Sequence, residues 1–176
     1  MVSTEIEFRS IIHKTRISII SICFLGIILS LYAYYVEFQA EHNSQYKALC
    51  DISSKMSCSK VFKSRWGKGF GLLGYVIGEN SPLNLPNSVF GIVFYCLQIM
   101  CALSPSPLLT ELQFSTSVLS NIASVYLAYI LYFILDDFCV VCVSTYITNA
   151  LLFVFIYLKR KTQSELQMYQ ICEHTD

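Results

Sequence analysis

Long apolar runs alternate with short polar interruptions along this chain, and the runs have membrane length. The first, "ISIISICFLGIILSLYAYYV", covers residues 17–36 between Arg16 and Glu37. Twenty residues rising ~1.5 Å each give about 30 Å of helix, the thickness of a bilayer's hydrocarbon core. The second, "NSVFGIVFYCLQIMCAL" over residues 87–103, is stopped by "SPSP". From Leu112 to Leu158 the apolar character hardly breaks, and one helix of that length would reach roughly 70 Å. Asp136-Asp137 divides it, because an aspartate at the centre of a spanning helix costs about 2.5–3.5 kcal/mol. The two acids therefore mark a tight turn at the membrane surface, between spans placed at 114–135 and 138–158. The pattern predicts an all-α integral membrane protein, a bundle of four transmembrane helices in a single domain over residues 1–176. A cleavable signal peptide fits the first run poorly, since it is too long and no small-x-small site follows.

The loop between the first two runs, residues 37–86, is no plain linker. "VFKSRWGKGFGLLGYVIGENSPLNLPNS" mixes Phe62, Trp66, Phe70, Leu72, Leu73, Tyr75 and Ile77 with basic residues and glycines. Such a segment suits the membrane interface, with aromatics at headgroup depth and lysines reaching outward. It is expected to cap the bundle as a lid with a half-helix; a solvated loop with scattered aromatics is the competing reading.

Composition agrees with the pattern. The 176 residues are 55% hydrophobic and 14% charged, whereas soluble domains carry about a quarter charged residues. Mean hydropathy is +0.54. Twelve basic and twelve acidic side chains cancel, so nothing favours nucleic acid as a partner. Arg9, Lys14 and Arg16 precede the first run, and Lys159, Arg160 and Lys161 follow the last. The positive-inside rule then puts both tails, 1–16 and 159–176, in the cytosol. Six basic residues in the 37–86 loop oppose this assignment, but most lie farther from a span end. Parity is firmer: with four spans, Cys50 and Cys58 face the same compartment as Cys139 and Cys142 in either orientation.

Those four belong to a set of eight cysteines. Cys23, Cys96 and Cys101 lie inside spans and read as packing residues; Cys172, in the tail, reads as a free thiol. Cys139-x-x-Cys142 can be a redox dithiol, half of a metal site, or two small hydrophobes. Three positions along a helix bring both side chains to one face, where they can close a disulfide. A helix N-terminus favours a thiolate, while Asp136 and Asp137 oppose it. Cys50 and Cys58, eight residues apart in the loop, shift the balance. Structural zinc usually takes closer-spaced pairs, so a relay of two dithiols is favoured over a four-cysteine metal site. On the last helix Cys142, Tyr146 and Asn149 recur at i, i+4 and i+7, a polar stripe expected to face the bundle interior. Asn149 is read as a helix–helix hydrogen-bonding residue.

Five blocks, "ALCD", "SCSKVFKSRWGKGFGLLG", "LNLPNSVFG", "SVYLAYILYF" and "DFCVVCVSTY", resemble the vitamin K epoxide reductase family in order and spacing, over roughly residues 15–158. Lys63 and Asn84-Leu85-Pro86 depart mildly from the pattern, and the tail after Lys161 has no clear match. The resemblance implies an enzyme of the endoplasmic reticulum membrane that reduces vitamin K 2,3-epoxide to the quinone, and the quinone to hydroquinone. It implies Cys139 and Cys142 as the catalytic dithiol, with Cys142 meeting the quinone. Cys50 and Cys58 become the redox relay, Cys58 exchanging with Cys139. Asn87 and Tyr146 match hydrogen-bonding positions for the quinone carbonyls; Phe62, Trp66 and Phe90 match pocket-wall or lid positions, and Ser64 the loop serine. The implied partners are lumenal thioredoxin-fold oxidoreductases as dithiol reductant, the lipid bilayer, and coumarin-type inhibitors as candidate ligands. No prosthetic group or metal is expected. A quinone-dependent disulfide-forming oxidase would run the same relay in reverse, and a tetraspan scaffold with structural disulfides is the non-catalytic alternative.

Overall fold

A computed structural model describes residues 2–43, 45–53, 55–74, 78, 81 and 84–175. Tyr75 and Ile77 of the expected lid fall outside the described residues. The described chain is helical, with two isolated β-bridges and no strand among the described residues. α1 covers Val2–His42, α2 the short Cys58–Lys63, α3 Asn87–Leu103, α4 Pro107–Tyr129 and α5 Val140–Thr175. Two 3-10 turns, Arg65–Gly67 and Gly69–Gly71, follow α2. α1, α5, and α4 together with its final turn are long and apolar enough to cross a membrane; α3 is a shorter apolar helix of 17 residues.

The expected boundaries shift at two places. α4 begins at Pro107, not residue 114, because proline at the first helical position lacks only an N–H that would be unpaired anyway. α5 begins at Val140 and runs unbroken through the expected tail to Thr175. At 36 residues it is about 54 Å long, and the 41 residues of α1 give about 61 Å, so both helices outrun a bilayer core.

α1 is the central strut, packed against α3 and α5, while α5 also packs along α4. Its buried positions Thr15, Ile19, Cys23, Gly26, Ser30, Ala33, Glu37 and Ala40, with Val36 beside them, recur in steps of four or three. That spacing draws one seam along a helix. Most of these residues are small, which lets backbones approach closely where apolar burial gains nothing over lipid. A Cβ on Gly26 would collide with the ring of Tyr95, and one on Gly91 would come within 2.6 Å of Ser30 Oγ. α1 and α3 are thus keyed at two points. Tyr95, 1% exposed, then donates its hydroxyl to Asn149 Oδ1 at 2.8 Å, and Asn149 Nδ2 donates to Ser124 Oγ at 2.9 Å. Asn149 is the helix–helix bonding residue expected, and it links α3, α4 and α5.

α4 ends in a wider turn, Ile130–Ile134, where Leu135 N–H reaches back to Ile130 O at 3.0 Å. Asp136 follows at φ +45°, a left-handed conformation that aspartate tolerates better than most residues. The acid pair does form the turn between the last two long helices.

Gly26→Val should overpack the α1–α3 seam. An apparent loss of about 1–3 kcal/mol is expected, read as a lowered thermal midpoint in detergent, whereas Phe24→Val on the exposed face should change it little.

Candidate functional site: two cysteine pairs at a roofed cavity

Cys139 stands immediately before α5 and acts as its cap. Its carbonyl accepts the Val143 N–H at 3.0 Å and its Sγ accepts the Cys142 N–H at 3.2 Å. The sulfur therefore lies against the first orphan donors of the helix. Cys139 is 0% exposed, Cys142 is half-buried, and both are thiols. Cys50 and Cys58 are joined by a disulfide with Cα atoms 5.9 Å apart. Asp51 and the two sulfurs sit close enough to hold a metal ion, but with the sulfurs bonded to each other neither offers a thiolate. Cys50, Cys58 and Cys139 lie in one buried cluster with Val61 and Val141, and Cys142 packs against it.

Two carboxylates build this convergence. Asp137, its side chain fully buried, accepts from the Ser57 N–H at 3.1 Å and the Phe138 N–H at 3.0 Å. Its other oxygen lies 2.8 Å from Lys60 Nζ, an ion pair more than an aligned hydrogen bond. Phe138 N–H also reaches Lys55 O at 3.0 Å. The segment that carries Cys58 is thereby fastened to the segment that carries Cys139. Lys55 and Asp136 pair at 3.1 Å as well, but both side chains are mostly exposed, so that contact contributes little.

Asp51 organises the other side. It accepts from Ala48 N–H, Ser57 Oγ, Ser59 N–H and Ser59 Oγ. Burial pushes its carboxyl upward, yet these hydrogen bonds, those from Ser59 foremost, outweigh burial and hold it below the usual range. Ser57 in turn caps α2, its Oγ accepting Lys60 N–H at 3.3 Å.

Beneath the cysteines lies an apolar cavity of about 740 Å³, within the size range of small-molecule sites. Phe62, Trp66 and Phe70 of the loop, Asn87 and Phe90 of α3, and Cys142 and Tyr146 of α5 all line it. Phe70 and Phe90 stack with ring centres 5.4 Å apart, and Trp66 meets Tyr126 edge-on at 6.3 Å. Gly71 makes this possible: it sits at φ +68° directly against the indole, where any Cβ would collide. Asn87 is already engaged. Its Oδ1 accepts the N–H of Phe70, itself at φ +57°, at 2.8 Å, and its Nδ2 donates to Trp66 O at 2.7 Å. Tyr146 differs, for its hydroxyl makes no hydrogen bond among the described residues. Ser64 does not line the cavity; its hydroxyl closes α2 on Val61 O at 2.6 Å.

Sequence reading missed Glu37. Only 3% exposed, it lines the cavity, receives Ser88 Oγ at 3.5 Å through Oε2, and leaves Oε1 without a hydrogen-bond partner among the described residues. The small-residue seam it belongs to, Ser30–Ala33–Glu37–Ala40, was the available signal.

Helices of membrane length, an apolar cavity between them, and a dithiol at its rim beside a bonded cysteine pair define a helical thiol–disulfide protein. Residues 17–157 match the Vitamin K epoxide reductase family, and the chain belongs to that family. It is 44% identical over 140 residues to the Vitamin K epoxide reductase complex subunit 1 of Rattus norvegicus, covering 80% of this chain and 87% of the relative. With the Mus musculus protein of the same name the identity is 43% over the same coverage.

Asp137→Ala should free the loop segment around Ser57. Hydrogen bonds to a charged group contribute about 1.5–3 kcal/mol each, so amide exchange across residues 55–60 should quicken by at least roughly tenfold. Asp136→Ala should leave it near wild type; equal effects would show that the buried carboxylate is not the fastener. Acid should act on the Asp51 side in the same assay. The folded loop keeps this carboxyl ionised more firmly than the unfolded chain does. Its stabilisation is thus complete above the ordinary aspartate value of ~3.9 and fades as pH falls through the lower folded value. Protection of the Ala48 and Ser59 amides should fall in that acid window in wild type and be already weakened at neutral pH in Asp51→Asn.

Proposed function

We propose that this chain reduces vitamin K 2,3-epoxide to the quinone, and quinone to hydroquinone, with Cys139 and Cys142 as the reacting dithiol. The observation that carries the reading is that Cys142 and Tyr146 open onto the apolar cavity while Cys139 lies with Cys58 in the cluster behind it. Relatives named for vitamin K epoxide reductase, similar over four-fifths of the chain, support the substrate class.

The thiols of Cys139 and Cys142 give up two electrons and two protons and become a disulfide. The epoxide oxygen leaves as water, or the two quinone carbonyls become hydroxyls. Cys142 meets the substrate, because it borders the cavity and Cys139 does not. Re-reduction comes through the loop: Cys58 attacks the Cys139 sulfur, and Cys50 then displaces it, leaving Cys50–Cys58 oxidised. The pairing seen, with Cys50–Cys58 bonded and Cys139 and Cys142 free, corresponds to the state after that transfer. Lumenal thioredoxin-fold oxidoreductases then reduce the loop pair.

Tyr146 and Asn87 polarise the substrate oxygens. The unpaired phenol is free to donate, and one N–H of the Asn87 amide remains after its bond to Trp66. Asn87 also positions the aromatic roof by holding Phe70, so Phe62, Trp66, Phe70 and Phe90 form the wall around the quinone ring. A coumarin-type inhibitor would occupy the same walls. Ser64 acts at a distance, by closing α2.

In the membrane the chain forms a single domain with four spans, α3 being the shortest, and the loop with α2 lies as a half-helix cap at the interface. Both termini face the cytosol and the cysteines face the lumen of the endoplasmic reticulum. Tags at either end should be cleaved by protease added to sealed microsomes; protection of both would reverse the orientation.

Dithiol-driven turnover of purified protein tests the chemistry. Cys142→Ala should abolish it. Cys50→Ala and Cys58→Ala should keep activity with a small dithiol, which reaches Cys139–Cys142 directly, but lose it with a thioredoxin-fold donor. Tyr146→Phe and Asn87→Ala should each slow turnover by about 10²–10³, the effect typical of losing one oxyanion donor. Full turnover in both would move the substrate elsewhere, and full turnover in Cys142→Ala would end the mechanism.

A further inference from the structure

Beyond their apolar runs, α1 and α5 continue side by side at the end of the bundle opposite the cysteines, and Gln170 Nε2 meets Glu5 Oε1 across them at 3.5 Å. A second cavity, of about 400 Å³, opens between them. Arg9, His13, Arg16, Gln163, Gln167 and Gln170 line it, with Ile12 and Leu166 as an apolar patch. The cysteine chemistry uses none of these residues.

The charges here do not balance. Arg9 is paired with Glu5 at 2.8 Å. Arg16 has no carboxylate partner among the described residues, and its Nε is shut off from solvent without a hydrogen bond. Lys159, 0% exposed, lies near enough to Arg16 for the two charges to repel, yet among the described residues its ammonium is held by neutral oxygens alone, Cys101 O at 3.3 Å and Gln113 Oε1 at 3.0 Å. Two cations near enough to repel, with no carboxylate partner among the described residues, are unfavourable, and the cavity that Arg16 lines is where an anion would relieve them. The second orphan in its wall is an acceptor, Gln163 Oε1. The site thus asks for an anion that also carries a hydrogen-bond donor.

Level along the helices narrows the source. Arg16 directly precedes Ile17, the first residue of the first apolar run, and Lys159 directly follows Leu158, the last of the final one. Both cations therefore stand at the depth of the lipid phosphates, where basic side chains engage anionic headgroups. We propose that this cavity binds the headgroup of an anionic phospholipid. Arg16 meets the phosphate, and farther from the membrane core a headgroup hydroxyl or ammonium donates to Gln163, with Ile12 and Leu166 packing against the headgroup carbons. The assignment does not depend on the proposed reductase chemistry.

The full chain in a neutral detergent, titrated separately with phosphatidylglycerol, phosphatidylcholine and inorganic phosphate, tests it by native mass spectrometry and thermal shift. One phosphatidylglycerol should bind at least tenfold more tightly than phosphatidylcholine and raise the unfolding midpoint, while millimolar inorganic phosphate neither displaces it nor stabilises the protein. Arg16→Gln should weaken phosphatidylglycerol at least tenfold, with Arg16→Lys intermediate. Gln163→Leu, which keeps every charge, should weaken it several-fold and covers the case of an Arg16 variant that does not fold. Equal binding of the two lipids, or undiminished binding in Arg16→Gln or Gln163→Leu, would overturn the proposal. Saturation by inorganic phosphate would overturn the lipid source.

Discussion

The carboxylate of Asp137 is shut away from water and grips both sides of the junction between the cysteine pairs. Its two N–H partners are its own neighbour Phe138 and Ser57, 80 residues away in sequence, and Lys60 supplies the counter-charge. A buried carboxylate without such partners would carry a large desolvation penalty, so the loop cannot leave without exposing or orphaning a charge. The position of Cys58 beside Cys139 follows from that constraint. So does the N-terminus of α5, since the same turn delivers Cys139 to its capping position.

Loop and helices depend on each other in a second way. The roof over the cavity has little regular structure, and its aromatic residues are held by side chains of the helices below. Asn87 uses both ends of its amide to fix Trp66 and Phe70, while Tyr126 and Phe90 supply ring contacts. A residue read as meeting substrate is thus also what keeps the roof in place. Below, the small-residue face of α1 admits Tyr95, and the Tyr95–Asn149–Ser124 chain locks the remaining helices. Buried polar links of this kind fix helix register where apolar contacts alone would let helices slide.

At the other end the polar logic is inverted. Near the cysteines each buried carboxylate of the junction has donors around it, whereas among the described residues Arg16 and Lys159 have no carboxylate to balance them. The first arrangement is complete within the chain. The second is complete only with something from outside it.

Much of this was legible in the residues. The apolar runs, the acid pair at 136–137 and the periodic stripe Cys142–Tyr146–Asn149 predict the helices, the turn and the interior face, because these depend on local repeat and on the cost of placing charge in lipid. The two cysteine pairs and the family blocks carry the class of chemistry. Four features required the tertiary structure: Asp137 as a buried fastener, Asn87 as an anchor of the roof, Glu37 in the cavity wall, and Arg16 without a carboxylate partner among the described residues. In sequence each is an ordinary polar residue near a helix end, equally suited to solvent. Whether such a group is buried, and which partners satisfy it, is set by segments distant in sequence, 17 residues away for Phe70 and Asn87 and 80 for Ser57 and Asp137, and local periodicity carries no information at that distance.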